Sequence, residues 1–172
     1  MMKKILLLSL ALFMILSIFT ACDGNKYRDD LTSVQLMEQI KAAIPAEEGY
    51  RQVSDAYISA SMWGEKYTSL LENTSDHCII VSEKSDMNID EVGVFHVKDS
   101  AKVEEMKAIV ETYVEGQTLR FQDLLASYNP DELPKLEEAE VEVCGNYIYY
   151  SILSEERTEQ AQNAFKNALT QN

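Results

Sequence analysis

The sequence predicts an α+β fold: one domain with a four-stranded, mainly antiparallel sheet of two hairpins, helices packed on one face, and the order α-α-β-β-α-β-β-α. Three observations carry this expectation. Apolar residues recur at helical spacing up to about residue 64, switch to a period of two near Asp76, and later return to helical spacing. Gly145-Asn146 sits between two alternating runs, the pattern of a two-residue hairpin turn. Between the strand pairs lies one long amphipathic stretch closed by Tyr128-Asn129-Pro130.

Each element follows from local chemistry. Thr32 and Gln35 form a capping box, with Leu31 and Leu36 placed as its hydrophobic staple. Val34, Met37, Ile40 and Ile44 make an apolar stripe that must end before Pro45. A second, short helix is expected from Ser54 or Asp55 to Gly64, carrying Tyr57, Ile58 and Met62 on one side and Trp63 in the core. Cys78-Ile79-Ile80-Val81 and Val92 to Val97 read as the first strand pair. Asp99 or Ser100 caps the long helix, which buries Val103, Met106, Val110, Tyr113 and Val114. Gly116 is a point of bending or breakage before Phe121, Leu124 and Leu125.

The second hairpin, Ala139 to Leu153, pairs Cys144 with Tyr147 and Val143 with Ile148 if Gly145-Asn146 is its turn. That register puts Ala139, Val141, Val143, Ile148, Tyr150 and Ile152 on one face, and Glu140, Glu142, Cys144, Tyr147 and Tyr149 on the other. Ser154 then caps a last helix that turns Ala161, Ala164, Phe165, Ala168 and Leu169 inward.

The beginning of the chain points to export. Lys3 and Lys4 precede fifteen mostly apolar residues, Ile5 to Phe19, the length of a signal-peptide core rather than of a spanning helix. Phe19-Thr20-Ala21-Cys22 resembles a bacterial lipobox, with Phe19 where leucine is usual. Residues 1–21 are thus expected to be a lipoprotein signal peptide, Cys22 the lipidation site, 22–31 the lipid-anchored cysteine with its tether, and 32–172 an extracytoplasmic α+β domain. Two acyl chains such as palmitate hold a protein to a bilayer where one exchanges, so the membrane is the expected partner and the cell membrane the expected location.

Removing residues 1–21 takes two of the 15 basic residues and no acid, leaving 13 against 29 acidic residues and a formal charge of −16. Nucleic acid, bound through Lys and Arg, is excluded as a partner on this balance, and an anionic leaflet repels the domain. Cys78 and Cys144 lie in separate hairpins and read as unbridged, small apolar groups.

Several segments resemble one family: Glu91-Val92-Gly93-Val94-Phe95-His96-Val97-Lys98-Asp99, Tyr128-Asn129-Pro130-Asp131-Glu132, Leu136 to Val141 and Gly145-Asn146-Tyr147. The chain, over roughly residues 32 to 170, is similar to the bacterial lipoprotein family of domain of unknown function 4358. The resemblance implies surface attachment of the Gram-positive type and implies no activity. Such proteins often carry a basic residue in mid-helix where this chain has Thr112-Tyr113-Val114, so a site built on that charge is not expected here.

Candidate chemistry is sparse. Asp86-Met87-Asn88-Ile89-Asp90 opens like a calcium loop, yet Glu91 stands where the sharp turn wants glycine and Val97 where a bidentate glutamate is needed, so it reads as a solvated turn. Glu137, Glu138, Glu140 and Glu142 offer carboxylates for glycan hydrolysis, but the latter two alternate with valines as on any half-exposed strand. His77 and His96 are the only imidazoles, too few for a zinc site by themselves. No nucleophile elbow, Walker loop or dinucleotide fingerprint is present, and no catalytic residue, metal or cofactor is assigned.

Tyr147 and Tyr149, beside Glu140 and Glu142, are read as an exposed aromatic and acidic patch suited to an envelope protein or glycan. The sequence therefore predicts a membrane-anchored surface lipoprotein serving as a non-catalytic accessory or partner-binding module. The alternatives are a cell-envelope hydrolase using paired glutamates and a small-solute-binding lipoprotein. The oligomeric state is not legible.

Overall fold

The computed structural model describes residues 27–55, 63, 66–84 and 87–170. Within them the chain runs α1 (Ser33–Ala43), β1 (Tyr50–Gln52), α2 (Lys66–Asn73), β2 (Thr74–Ser82), β3 (Glu91–Val97), α3 (Val103–Tyr128), α4 (Pro134–Glu137), β4 (Glu140–Cys144), β5 (Tyr147–Ile152) and α5 (Glu155–Leu169). One antiparallel sheet has the order β1-β2-β3-β5-β4. The fold is thus the expected α+β single domain, but with five strands rather than four. The added strand is β1 on the edge beside β2, only three residues long and too short to show alternation. The second predicted helix, with Tyr57, Ile58 and Met62, lies outside the described residues except at its ends, where Trp63 is buried as expected.

Helices cover both faces of the sheet, not one. α1 and α5 pack against each other over Cys78, Ile80, Val92, Val94, Cys144, Tyr147 and Tyr149. α2 and α3 cover the opposite face, where Tyr67, Leu70, Met106, Val110 and Tyr113 meet Ile79, Phe95, Ile148 and Tyr150. The period-two alternation separated two sets correctly, but the set taken as solvent-facing is a second core surface. A sheet buried on both faces need not alternate in polarity, and tyrosine and cysteine are the residues that disguise such a face.

The termini of the elements follow their sequence signals. Thr32 accepts from the Gln35 amide while the Gln35 side chain accepts from the Thr32 amide, a complete capping box that stabilises α1 by about 1 kcal/mol. The stripe beneath it is Leu36, Met37, Ile40 and Ile44; Val34 is 45% exposed. α3 continues through Gly116 without a break, because contacts before and after it outweigh a propensity cost of about 1 kcal/mol. It ends at Tyr128 as predicted, with Leu125 buried and Leu124 turned outward. Ser154 precedes α5 in extended conformation but makes no side-chain capping bond.

The β4–β5 register is the predicted one, Cys144 opposite Tyr147 and Val143 opposite Ile148. Gly145 takes φ +59°, which glycine reaches at no steric cost. Cys78 and Cys144 are buried and free, and burial pushes the Cys78 thiol up to about 11. Among the described residues no helix is long and apolar enough to cross a membrane.

Candidate functional site

Buried charged and polar side chains, Asp90, Glu91, Gln117, Glu132 and Lys135, gather at one end of β3. Glu91 is that strand's first residue and points to the same face as Gly93, Phe95 and Val97. α3 lies over it, and four-residue spacing brings Tyr113, Gln117 and Phe121 down one side of the helix onto the same spot. Tyr113 and Tyr150 both donate their hydroxyls to Glu91 Oε1, at 2.6 and 2.5 Å. Neither tyrosine reaches Oε2. Burial holds the Glu91 carboxyl above its ordinary range, although the two hydroxyls and the charge of Arg120 pull the other way. The same burial, followed by the Glu91 charge, holds the Tyr113 and Tyr150 phenols well above theirs.

Gln117, with Trp63, Tyr149, Ser151 and Arg157, is one of the described residues that hold a buried polar atom without a partner. The residue is 3% exposed, and its Oε1 is buried without a hydrogen-bond partner. Glu91 and Gln117 line a cavity of about 240 Å³, with Ile89, Phe121, Leu125, Leu136 and Ile152 as apolar walls and the exposed side chains of Arg51 and Lys84 on its rim. Trp63 stands behind, its ring stacked on Tyr113 at 3.7 Å.

On the other face of the same strand end, Asp90 behaves differently. Lys135 donates to its Oδ1 at 2.5 Å, Arg157 donates to Oδ2, and Lys135 also reaches Glu132 at 2.6 Å. Glu132 in turn accepts from the Ile89 amide at 3.0 Å, and Arg157 donates to the Tyr50 hydroxyl. Burial raises the Asp90 carboxyl, with the Lys135 hydrogen bond opposing it. A neighbouring cavity of about 340 Å³ is bordered by this cluster and by Glu47, Glu48 and Lys84, four acids against three bases.

The structure disperses the residues singled out from the sequence. Tyr147 and Tyr149 are 0% exposed, beneath α1 and α5. Tyr147 donates to the Leu31 carbonyl, and Tyr149 stacks on Phe165 at 5.1 Å. The expected exposed aromatic patch is therefore not formed, because the face taken as solvent-exposed carries its own helical layer. Gln162 donates to both Glu140 and Glu142, at 2.7 and 2.9 Å, and Lys166 reaches Glu142 at 3.1 Å. These carboxylates pin α5 to the edge strand.

His77 lies between Asp55 and Tyr67, and His96 between Asp29 and Asp76. Among the described residues no group of three His, Cys, Asp or Glu side chains is arranged to hold a metal. Of the calcium-like stretch, Asn88 accepts from the Asp90 amide, as in an Asx turn. Asp86 and Cys22 lie outside the described residues.

Sequence reasoning passed over Glu91 and Gln117, although both left a signal. Each is a polar residue in phase with an apolar stripe, one at period two and the other at helical spacing.

These features define an α+β domain with helices on both sheet faces and a small, half-apolar cavity between α3 and the start of β3. The chain belongs to the family of domain of unknown function 4358 (DUF4358), whose sequence profile matches residues 66–153, a span that includes β3, α3 and both hairpins. No curated protein and no solved structure matches the chain.

Proposed function

We propose that this chain is a lipid-anchored, extracytoplasmic binding protein: an exported lipoprotein acylated on Cys22, whose domain holds a small molecule and performs no reaction of its own. The observation that carries the binding reading is the cavity, in which a nearly buried acid and an unpartnered buried amide face an apolar wall. Ligand sites are typically apolar with a few polar groups that fix orientation. The anchor rests on Lys3-Lys4, the apolar run Ile5 to Phe19 and the lipobox-like ending at Cys22. Hydrolysis by paired glutamates loses its support, since Glu140 and Glu142 are both engaged by Gln162.

The start of the domain supports a particular presentation. Residues 27–31, read from the sequence as tether, lie along the domain: Tyr27 pairs with Thr170, and the Arg28 amide donates to the Leu169 carbonyl. Only the stretch from Cys22 to Tyr27 then links lipid to domain, at most about 18 Å of extended chain. It joins near the Gly145-Asn146 turn, about 17 Å along β3 from Glu91. The cavity end is thereby held away from the bilayer.

The test has two readouts on protein expressed in a Gram-positive host. Metabolic labelling with an alkyne palmitate should tag the wild type and not Cys22→Ala, and the wild type should fractionate with membranes. Native mass spectrometry of the extracted wild type should show a small-molecule adduct that a cavity-filling Gln117→Trp variant lacks. An unlabelled cytosolic product would overturn the anchor, and an adduct-free wild type would overturn the binding function.

A further inference from the structure

We infer that the cavity at the start of β3 receives a primary ammonium or similar cationic, multiply donating head carried on an apolar body. This inference rests on the binding function proposed above and names the ligand class of the same site. The buried end of the cavity carries acceptors in need of donors. Both tyrosine hydroxyls donate to Glu91 Oε1, so a donor on a ligand would complement the carboxyl at Oε2. Gln117 Oε1 adds a second acceptor that no protein group satisfies. A buried acceptor without a partner is costly, and such exceptions in folded proteins call for a partner the chain does not itself supply.

Charge narrows the class. Burial holds the Glu91 carboxyl toward its neutral form, and an ammonium would stabilise the carboxylate and supply several N–H donors in charge-assisted geometry. An anion would be repelled by a Glu91 carboxylate at the buried end, and Arg51 and Lys84, the cations of the lining, stand only on the rim. A divalent metal wants several oxygen ligands at close range, whereas Asp90, the adjacent acid, points to the other face and is bound by Lys135 and Arg157. The walls contributed by Ile89, Phe121, Leu125 and Leu136 take the apolar body.

The molecule carries its own reporter, since Trp63 is its single tryptophan and stacks on Tyr113, whose hydroxyl is bonded to Glu91. The test titrates the full domain with three probes matched in length and shape, n-hexylammonium, n-hexanol and n-hexanoate. It follows Trp63 fluorescence and, independently, heat by calorimetry. Hexylammonium should bind about tenfold more tightly than hexanol, and hexanoate should not bind. Glu91→Gln keeps the side-chain shape and an acceptor for the two tyrosines, and should abolish the preference for ammonium over hexanol. Gln117→Leu, placed where the native amide has no partner, should weaken hexylammonium about tenfold while leaving the fold intact. Equal or tighter binding of hexanol or hexanoate would overturn the cationic class and leave the cavity as a binding site. Failure of all three probes to bind, with no adduct on protein recovered from membranes, would overturn both.

Discussion

The two ends of β3 differ in how completely their polar groups are satisfied. At the His96 end, the beginning of the domain is folded back on it. Asp29 meets His96 at 2.8 Å and accepts from Asn146 at 3.1 Å, Tyr147 donates to the Leu31 carbonyl, and the Val97 amide donates to the Asn146 carbonyl. At the Glu91 end, one face carries the ion pairs on Asp90 but leaves Arg157 Nε buried without a partner, and the other holds a buried carboxyl with hydroxyls on one oxygen and an amide oxygen, Gln117 Oε1, with no partner. An end serving only to close the fold would have been cheaper to fill with leucine. The contrast separates a docking end, where chain segments satisfy one another's polar groups, from the candidate binding end, where buried polarity is retained at some cost in stability.

The sharpest way to break this contrast is Gly93→Ala. A Cβ at Gly93 would lie 2.0 Å from Cε1 and 2.7 Å from Cζ of Tyr150, a ring fully buried opposite it in the sheet. That ring cannot swing aside without leaving Glu91 and disturbing Tyr113. The expected loss is about 3 kcal/mol, read by urea denaturation with the slope unchanged. A loss below about 1 kcal/mol would mean that the Tyr150–Glu91 bond is not the fixed element taken here.

Next in size is the pH dependence removed by Glu91→Gln. Because the folded-state carboxyl is held above its unfolded value, the native state keeps that proton to higher pH than the unfolded chain does. The stability it contributes is therefore present below the unfolded pKa and is lost as pH rises through the folded one. Asp90 is raised as well and acts in the same direction, but it remains in both proteins. Subtracting the variant's stability from that of the wild type at each pH isolates Glu91, and this difference should fall as pH rises above the ordinary carboxyl range. A rising difference would show that the two tyrosines and Arg120 outweigh burial.

What was legible in the sequence follows the range of the forces involved. The capping box of Thr32 and Gln35, the stop at Asn129-Pro130 and the Gly145-Asn146 register depend on residues close in the chain, and each is found in the structure. The second helical layer was not legible, because nothing in Tyr147-x-Tyr149 tells whether a helix from the other end of the chain will cover them. β1 owes its existence to pairing with Val81 and Ile80 rather than to its own three residues. The candidate site lay hidden for the same reason: Glu91 and Gln117 are 26 positions apart, and each alone looks like an ordinary polar residue in an amphipathic element.

A smaller effect of opposite sign is expected from Gln117→Leu without ligand. Leucine removes the orphaned amide oxygen and extends the apolar row of Phe121 and Leu125, so the empty domain should gain about 1 kcal/mol while hexylammonium binding falls. Thermal unfolding with and without the probe reads both changes in one experiment. A variant less stable than the wild type would mean that Gln117 is satisfied within the fold, and the binding end would then resemble the docking end.

The smallest effect belongs to Asp29→Ala, at the docking end. The side chain is 56% exposed, so the loss of its contacts with His96 and Asn146 should cost only about 0.5 kcal/mol and leave the denaturation midpoint nearly unchanged. Its consequence is local. The Arg28 amide, which donates to the Leu169 carbonyl at 2.9 Å, should exchange with deuterium faster, while amides in the centre of β3 keep their protection. If protection fell equally along β3, the docked segment would be part of the cooperative core. If only the Arg28 region opened, that segment would act as a latch whose release, with the anchor proposed on Cys22, would lengthen the link to the domain by about five residues of chain, or about 17 Å when extended.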